Sequence, residues 1–160
     1  MADVLLGLGS NQNAAVYIKA ALRDLKNTFG ELVLSPIYES EAVGFAGDNF
    51  LNMVAQIQTD LTVAELWRAL REIEDAHGRD RTQPKFASRT LDIDILIYDN
   101  YVGVFDGVEL PRDEILKNAF VLKPLADTWP TWVHPEVKQT YQQLWESYDQ
   151  SSQKLWSVEL

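Results

Sequence analysis

Residues 78–97 read GRDRTQPKFASRTLDIDILI and join a polar, arginine-containing segment to a short apolar strand. Successive side chains of a strand point to opposite faces, so Asp92 and Asp94 are predicted to share one face, about 7 Å apart. The aliphatic residues of the same strand are predicted to share the other face: Leu91, Ile93, Ile95 and Ile97.

Two carboxylates at this spacing can bind one or two hard divalent cations, which prefer oxygen ligands. Arg79, Arg81 and Arg89 precede them and would supply the forked donors that bind phosphate. A metal site beside arginines favours phosphoryl-transfer chemistry. The alternative is structural, because Asp-x-Asp on an antiparallel strand also marks the solvent-facing side of a sheet.

Composition limits the function classes. The 160 residues fit one domain (1–160), with 46% hydrophobic and 24% charged residues. A net charge of −10 argues against a broad nucleic-acid interface, which needs a basic surface. Six of the 14 basic residues nevertheless lie within 68–89, and such a local patch suits a small anionic ligand.

Location and partners follow from what the chain lacks. It has no cysteine, which excludes disulfides and thiolate metal sites. No apolar run approaches the roughly 20 residues of a membrane helix, and no basic segment precedes the apolar N-terminus. We therefore expect a cytoplasmic monomer that acts on small molecules, with neither membrane nor nucleic acid as a partner.

The hydrophobic periodicity predicts an α+β fold. Strands are predicted at 4–8, 32–40, 50–59 and 91–98, and helices at 13–29 and from 62 to 77. The order strand, helix, strand, strand, helix, strand is that of a ferredoxin-like antiparallel sheet with both helices on one face. The uncovered face would carry Asn52, Asp92 and Asp94. Taken alone, Asn52 is better explained as a solvated asparagine than as a ligand contact.

Beyond residue 100 the patterns predict a hairpin at 101–110, a short helix or irregular segment at 116–125, and a helix at 136–148. The chain would thus end in a C-terminal helical extension. Four of the five tryptophans lie in the last 32 residues, and we interpret them as packing residues that dock this segment.

Four motifs resemble one enzyme family. They are GLGSN at 7–11, FLN at 50–52, RTLDIDIL at 89–96 and FVLKPL at 120–125. From residue 4 to about 130 the chain resembles the hydroxymethyl-dihydropterin pyrophosphokinases of the folate pathway. The resemblance implies a ferredoxin-like fold and transfer of pyrophosphate from ATP to the pterin hydroxymethyl group, releasing AMP.

The resemblance also implies roles for individual residues. Asp92 and Asp94 would bind two Mg²⁺ ions, and Arg81 and Arg89 would contact the ATP phosphates as catalytic residues. The pterin would be bound by Val43, Gly44, Phe50, Asn52 and Phe120. The ATP side would be formed by Arg71, Glu74, Arg79, Arg81, Phe86, Arg89, Ile95 and Arg112.

The chain departs from the family pattern on the ATP side. Arg112 and Asn118 stand where the family has a histidine and an arginine, and Arg71 stands where many members have glutamine. Two alternatives to an active pyrophosphokinase therefore stay open. One is a weakened or repurposed relative that binds a pterin or uses another phosphate donor, and the other is a non-enzymatic binding module that uses the sheet face.

Overall fold

A mixed α+β architecture is built on one antiparallel sheet in this computed structural model, which describes residues 1–41, 48–78 and 90–160. In chain order the elements are β1 (Ala2–Ser10), α1 (Ala14–Phe29), β2 (Val33–Leu34), β3 (Ile37–Ser40), β4 (Phe50–Thr59), α2 (Val63–Ala76), β5 (Asp92–Tyr98), β6 (Gly103–Phe105), β7 (Val108–Leu110), α3 (Glu114–Lys117), α4 (Ala119–Thr128), α5 (Tyr141–Ser147) and β8 (Leu155–Val158). The strand order is β5-β1-β4-β3-β8, with β2 beside β4. The first four strands of this order confirm the predicted ferredoxin-like fold.

The first face of the sheet is covered by α1 and α2, as predicted. Their buried residues Ile18, Leu25, Leu66 and Leu70 have no exposed surface and pack against the apolar side chains of β1, β4 and β5. Helix α2 starts with a capping box: the Thr62 hydroxyl accepts from the Glu65 amide at 3.2 Å, and the Glu65 carboxylate accepts from the Thr62 amide at 3.0 Å.

The second face was predicted to be open, and this prediction is wrong for half of it. A second core joins Leu5, Val54 and Leu96 of the sheet to apolar residues that follow the β6–β7 hairpin. These residues are Ile115, Val121, Leu122, Leu125, Trp129 and Tyr141. Helices α4 and α5 therefore cover part of this face, and Asn52 and Asp92 are not among the residues of this second core.

One aliphatic residue of β5 lies on the opposite face from the one predicted. The register runs from Leu6 opposite Ile95 to Leu5 opposite Ile97, so Leu96 is an extra residue in a β-bulge. Ile97 consequently packs in the second core beside Leu5, not in the first core with Ile93. The extra residue reverses the alternation of side chains, and a period of two cannot anticipate it.

The C-terminal part also differs from the prediction. The helix expected at 136–148 is confined to Tyr141–Ser147, and the chain then ends in β8, which pairs with β3. The extension is therefore a helix followed by a sheet strand. The segment predicted at 116–125 also ends later than expected, because α4 runs to Thr128.

Two further predictions concern local segments. The β6–β7 hairpin agrees with the predicted one, and the strand predicted at 32–40 is divided around Pro36 into β2 and β3.

Of the C-terminal tryptophans, Trp129 is buried at 4% exposure, as expected of a packing residue, whereas Trp156 on β8 is 41% exposed. Among the described residues, no helix has the length and apolarity needed to span a membrane.

Candidate active site

One row of neighbouring residues crosses the second face of the sheet. Asp92 of β5 lies opposite Gly9 of β1, Gly9 lies opposite Asn52 of β4, and Asn52 lies opposite Tyr38 of β3. Residues in register on adjacent strands project to the same face. The predicted metal ligand Asp92 and the predicted pterin contact Asn52 are thus separated by a single glycine.

Two glycines of β1 lie between the carboxylates of β5 and the residues of β4. Gly9 lies between Asp92 and Asn52, and Gly7 lies between Asp94 and Val54. A Cβ atom on Gly9 would come within 2.8 Å of the Asn52 Oδ1 atom, and one on Gly7 within 3.2 Å of Leu96. The missing Cβ atoms therefore let the Asn52 and Leu96 side chains lie close to the backbone of β1.

Neither glycine was predicted to be a site residue. The signal was present, since two glycines two residues apart in a strand lie on one face. Glycine inside a strand often marks a close approach by a ligand or another backbone.

Asp94 lies between two arginines. The Arg112 Nη2 atom is 3.8 Å from Asp94 Oδ2, and the Arg71 Nη2 atom is 3.9 Å from Asp94 Oδ1. The Asp94 side chain is 30% exposed. Its carboxylate therefore remains accessible from solvent while each oxygen has a cation on one side.

Arg112 is held by a second carboxylate as well. Its Nη2 and Nε atoms donate to Glu114 Oε1 at 2.8 and 3.2 Å, and its backbone amide donates to the Leu96 carbonyl at 2.9 Å. Burial alone would lower the pKa of Arg112, but Asp94 and Glu114 together raise it above its ordinary value. The guanidinium is thus a fixed positive charge beside Asp94.

Arg71 and Glu74, both predicted on the ATP side, bind the outer edge of β5. Glu74 Oε2 accepts from the Ile93 amide at 2.7 Å, and Arg71 donates to the Ile93 carbonyl. Glu74 is 1% exposed, and its Oε1 atom is 2.9 Å from Arg71 Nε. These two side chains of α2 therefore satisfy backbone groups that an edge strand would otherwise leave unpaired.

The remaining predicted residues fall into two groups. Ile95 is 4% exposed and packs in the first core, away from the row, whereas Phe50 and Phe120 are half-buried at the starts of β4 and α4. The others lie outside the described residues: Val43, Gly44, Arg79, Arg81, Phe86 and Arg89. The described chain ends at Gly78 and resumes at Thr90, two residues before Asp92.

The donor set fits a magnesium ion that is completed by a substrate. Within residues 1–41, 48–78 and 90–160 there is no group of three or more carboxylate or imidazole ligands that could hold a metal. Mg²⁺ commonly uses one or two carboxylates and takes its other ligands from water and substrate phosphates. Asp92 and Asp94, on one face of β5, match that requirement.

The family can be identified from most of the chain. Residues 5–130 match the family described as 7,8-dihydro-6-hydroxymethylpterin-pyrophosphokinase. The chain belongs to this family. Membership confirms the resemblance predicted from the four motifs and the predicted class of enzyme, an ATP-dependent pyrophosphokinase of folate biosynthesis.

Similar proteins come from several organisms. The chain is 36% identical over 137 residues to 2-amino-4-hydroxy-6-hydroxymethyldihydropteridine pyrophosphokinase of Aquifex aeolicus, covering 84% of this chain and 85% of that protein. It is 34% identical over 130 residues to the protein of that name in Haemophilus influenzae, covering 78% and 80%. It also matches folic acid synthesis protein fol1 of Schizosaccharomyces pombe at 33% identity, covering 95% of this chain and 21% of that protein.

Solved structures agree on the fold. HPPK-DHPS of Plasmodium falciparum, crystallised with pterin and p-hydroxybenzoate, superposes with a TM-score of 0.75 at 14% identity. The superposition covers 92% of this chain and 43% of that one, so this chain corresponds to less than half of the larger protein. At this identity the similarity concerns the fold alone.

Proposed function

We propose that this protein transfers the terminal pyrophosphate of ATP to the hydroxymethyl group of 6-hydroxymethyl-7,8-dihydropterin and releases AMP. The observation that carries the proposal is the row from Asp92 through Gly9 to Asn52. This row has the Asp92 carboxylate, which we propose as a metal ligand, on one side of Gly9 and the Asn52 amide on the other. Family membership supports the same reaction.

Asp92 and Asp94 would hold Mg²⁺, which when bound would neutralise charge on the ATP phosphates. Because the two side chains come from one strand that pairs with β1, their separation is set by the backbone of β5. A site on a strand needs little rearrangement when its ligand arrives.

The pterin would lie over Gly9 on the Asn52 side. The Asn52 side-chain amide can both donate and accept hydrogen bonds, which suits the edge of a pterin ring. Phe120 and Phe50, both half-buried, are the rings that we assign to stack on the ligand. Val43 and Gly44 complete this half of the site in the proposal.

The ATP phosphates would lie on the Asp94 side. Arg112 is the more exposed of the two arginines beside Asp94, at 37% against 19% for Arg71, so Arg112 is assigned to the phosphates. Its forked donors would replace the cation that the family provides with histidine. Arg79, Arg81 and Arg89 would add positive charge, and Phe86 and the backbone at Ile95 would contact the rest of the nucleotide.

The second candidate function is pterin binding with weakened pyrophosphate transfer. It is favoured by one observation: Arg71 and Arg112 are already paired with Glu74 and Glu114, so phosphate must compete with these carboxylates. The two candidates differ only in turnover. Both predict pterin binding.

Product formation separates them. Wild-type protein with ATP, MgCl₂ and 6-hydroxymethyl-7,8-dihydropterin should release AMP and pyrophosphorylated pterin in equal amounts, measured by liquid chromatography. Pterin binding by fluorescence without AMP would favour the second candidate, and absence of both would contradict both.

The metal ligands can be tested in the same assay. Asp94→Asn keeps the side-chain volume but removes the charge, so kcat should fall by about a hundredfold and Mn²⁺ binding with a non-hydrolysable ATP analogue should weaken. Asp106→Asn is the matched control, because Asp106 occupies a positive-φ turn position that asparagine also accepts (φ 52°). Equal activity of the Asp94→Asn variant and this control would refute the assignment.

A further inference from the structure

The C-terminal segment lies outside the family match, which ends at residue 130, yet it contacts the start of α4. Helix α5 packs on α4 through Tyr141, which is 1% exposed. The Tyr148 hydroxyl donates to the Lys117 carbonyl at 2.7 Å, just before α4. A turn around Asp149, whose carboxylate accepts from the Ser151 amide at 3.1 Å, then leads the chain towards Gln153.

Gln153 forms two hydrogen bonds at the first turn of α4. Its Oε1 atom accepts from the Ala119 amide at 2.8 Å, and its Nε2 atom donates to Asn118 Oδ1 at 3.2 Å. The first amides of a helix have no partner within the helix, and Asn118, the N-cap residue, makes no side-chain capping bond. A residue 34 positions further along the chain thus supplies the missing acceptor.

The same segment continues into the sheet beside the proposed pterin site. Leu155 of β8 pairs with Ser40 of β3, and Ser40 pairs in turn with Phe50. Ser157 pairs with Tyr38, which belongs to the row that contains Asn52. Residues 153–158 therefore join two parts of the structure, the first turn of α4 and the strand β3.

We infer that Gln153 is a positioning residue for the pterin, acting through Ala119 on the adjacent Phe120. The inference rests on the proposed function, because Phe120 is the ring assigned to stack on the pterin. A helix whose first amide is bonded has a defined first turn, and the pairing of β8 with β3 fixes the position from which Gln153 reaches it. Segment 149–158 is thereby part of the pterin half of the site, although it contacts no substrate.

Three substitutions test this role. Gln153→Leu removes both hydrogen bonds at similar volume, Gln153→Asn keeps the amide but shortens its reach by one methylene, and Gln153→Glu keeps the acceptor for Ala119. Gln150→Leu is the matched control, since the exposed Gln150 donates only to the Trp145 carbonyl, at 3.2 Å, among the bonds that the structure describes for it. Pterin affinity is measured by fluorescence, ATP affinity by calorimetry, and exchange of the Ala119 amide by NMR.

Gln153→Leu and Gln153→Asn should raise the Kd for pterin by about threefold to tenfold, as expected for the loss of one or two hydrogen bonds. Their Kd for ATP should stay within about twofold of wild type, and Ala119 should exchange faster. Gln153→Glu should restore pterin affinity, and Gln150→Leu should leave it unchanged. The selective loss on the pterin side distinguishes positioning from a general loss of stability.

Three outcomes would overturn the inference in distinguishable ways. If wild type binds pterin and both Gln153→Leu and Gln153→Asn bind it equally well while Ala119 exchanges faster, positioning by Gln153 is refuted and the proposed function stands. A wild-type protein that binds no pterin refutes the proposed function and this inference together. Equal weakening of pterin and ATP binding would also refute it.

Discussion

At the scale of single residues, the site depends on glycines as much as on charged side chains. Gly7 and Gly9 lie on the same face of β1, but a Cβ atom would meet different neighbours at the two positions. At Gly9 it would meet the free end of the Asn52 side chain, and at Gly7 it would meet Leu96, which is 1% exposed in the second core. The two positions should therefore respond differently to the same substitution.

Gly9→Ala should weaken pterin binding about tenfold and leave the unfolding free energy nearly unchanged. The new methyl group, 2.8 Å from Asn52 Oδ1, would turn the amide away from the ligand, and this side chain can move at little cost. Gly7→Ala should do the reverse and cost about 1 kcal/mol of stability, because a packed leucine must shift. Pterin fluorescence titration and urea denaturation of both variants measure the contrast, and similar profiles for the two would contradict it.

At the scale of secondary-structure elements, α2 holds the edge strand that carries the carboxylates. Ile93 lies between Asp92 and Asp94, and its outer amide bonds Glu74 of α2. The same glutamate is paired with Arg71, which also approaches Asp94. In the described structure Glu74 therefore fixes β5 against α2. Its assignment to the ATP side of the site remains a prediction.

Glu74→Gln should lower the unfolding free energy by about 2 kcal/mol or more. The amide can still accept from Ile93, but its NH₂ group would face the Arg71 guanidinium, which leaves a cation without its buried partner. Urea denaturation measures the loss. Glu72→Gln, an exposed substitution on the same helix, is the control and should change stability by less than about 0.5 kcal/mol.

At the scale of the whole molecule, the C-terminal part is tied to the rest through a turn that contains His134. This residue is 1% exposed, and its Nδ1 atom accepts from the amides of Glu136 and Val137 at 3.2 Å each. Thr140, which caps α5, follows this turn and forms a bridge with Val133. The turn sets the position of α5 and, through α5, that of the segment that reaches α4.

The unfolding free energy should therefore fall as the pH drops below about 6.5, the ordinary pKa of a histidine side chain. Burial lowers the pKa of His134, an effect that Glu136 partly opposes. The unfolded chain therefore binds the proton more readily than the folded one. Neutral His134 makes its full contribution to the unfolding free energy above the pKa of the unfolded state, and this contribution is lost as the pH drops through the pKa of the folded state. His134→Asn keeps a hydrogen-bond acceptor and cannot be protonated, so the unfolding free energy of this variant should vary less with pH than that of wild type. Denaturation at several pH values between about 5 and 7.5 measures this, and the same pH dependence in both proteins would contradict it.

Several features could be predicted because they depend on neighbours in the chain. The Thr62–Glu65 capping box, the stripe of α1 that includes Ile18 and Leu25, and the common face of Asp92 and Asp94 each follow from spacings of two to four residues. The family motifs extended this to the class of enzyme. These features need no knowledge of which strand pairs with which.

Other features depend on distant pairing, and the sequence by itself did not determine them. The bulge at Leu96 depends on the register of β5 on β1. The covering of the second face depends on where α4 packs, although α4 is far in the chain from the strands that it covers. The bond from Gln153 to Ala119 joins residues 34 positions apart. The sequence determined most of the secondary-structure elements and the chemical character of β5, because local periodicity and side-chain type decide them. Tertiary structure alone decided that Gly9 separates Asp92 from Asn52 and that the C-terminal segment reaches α4, because both require contacts between strands or helices far apart in the chain.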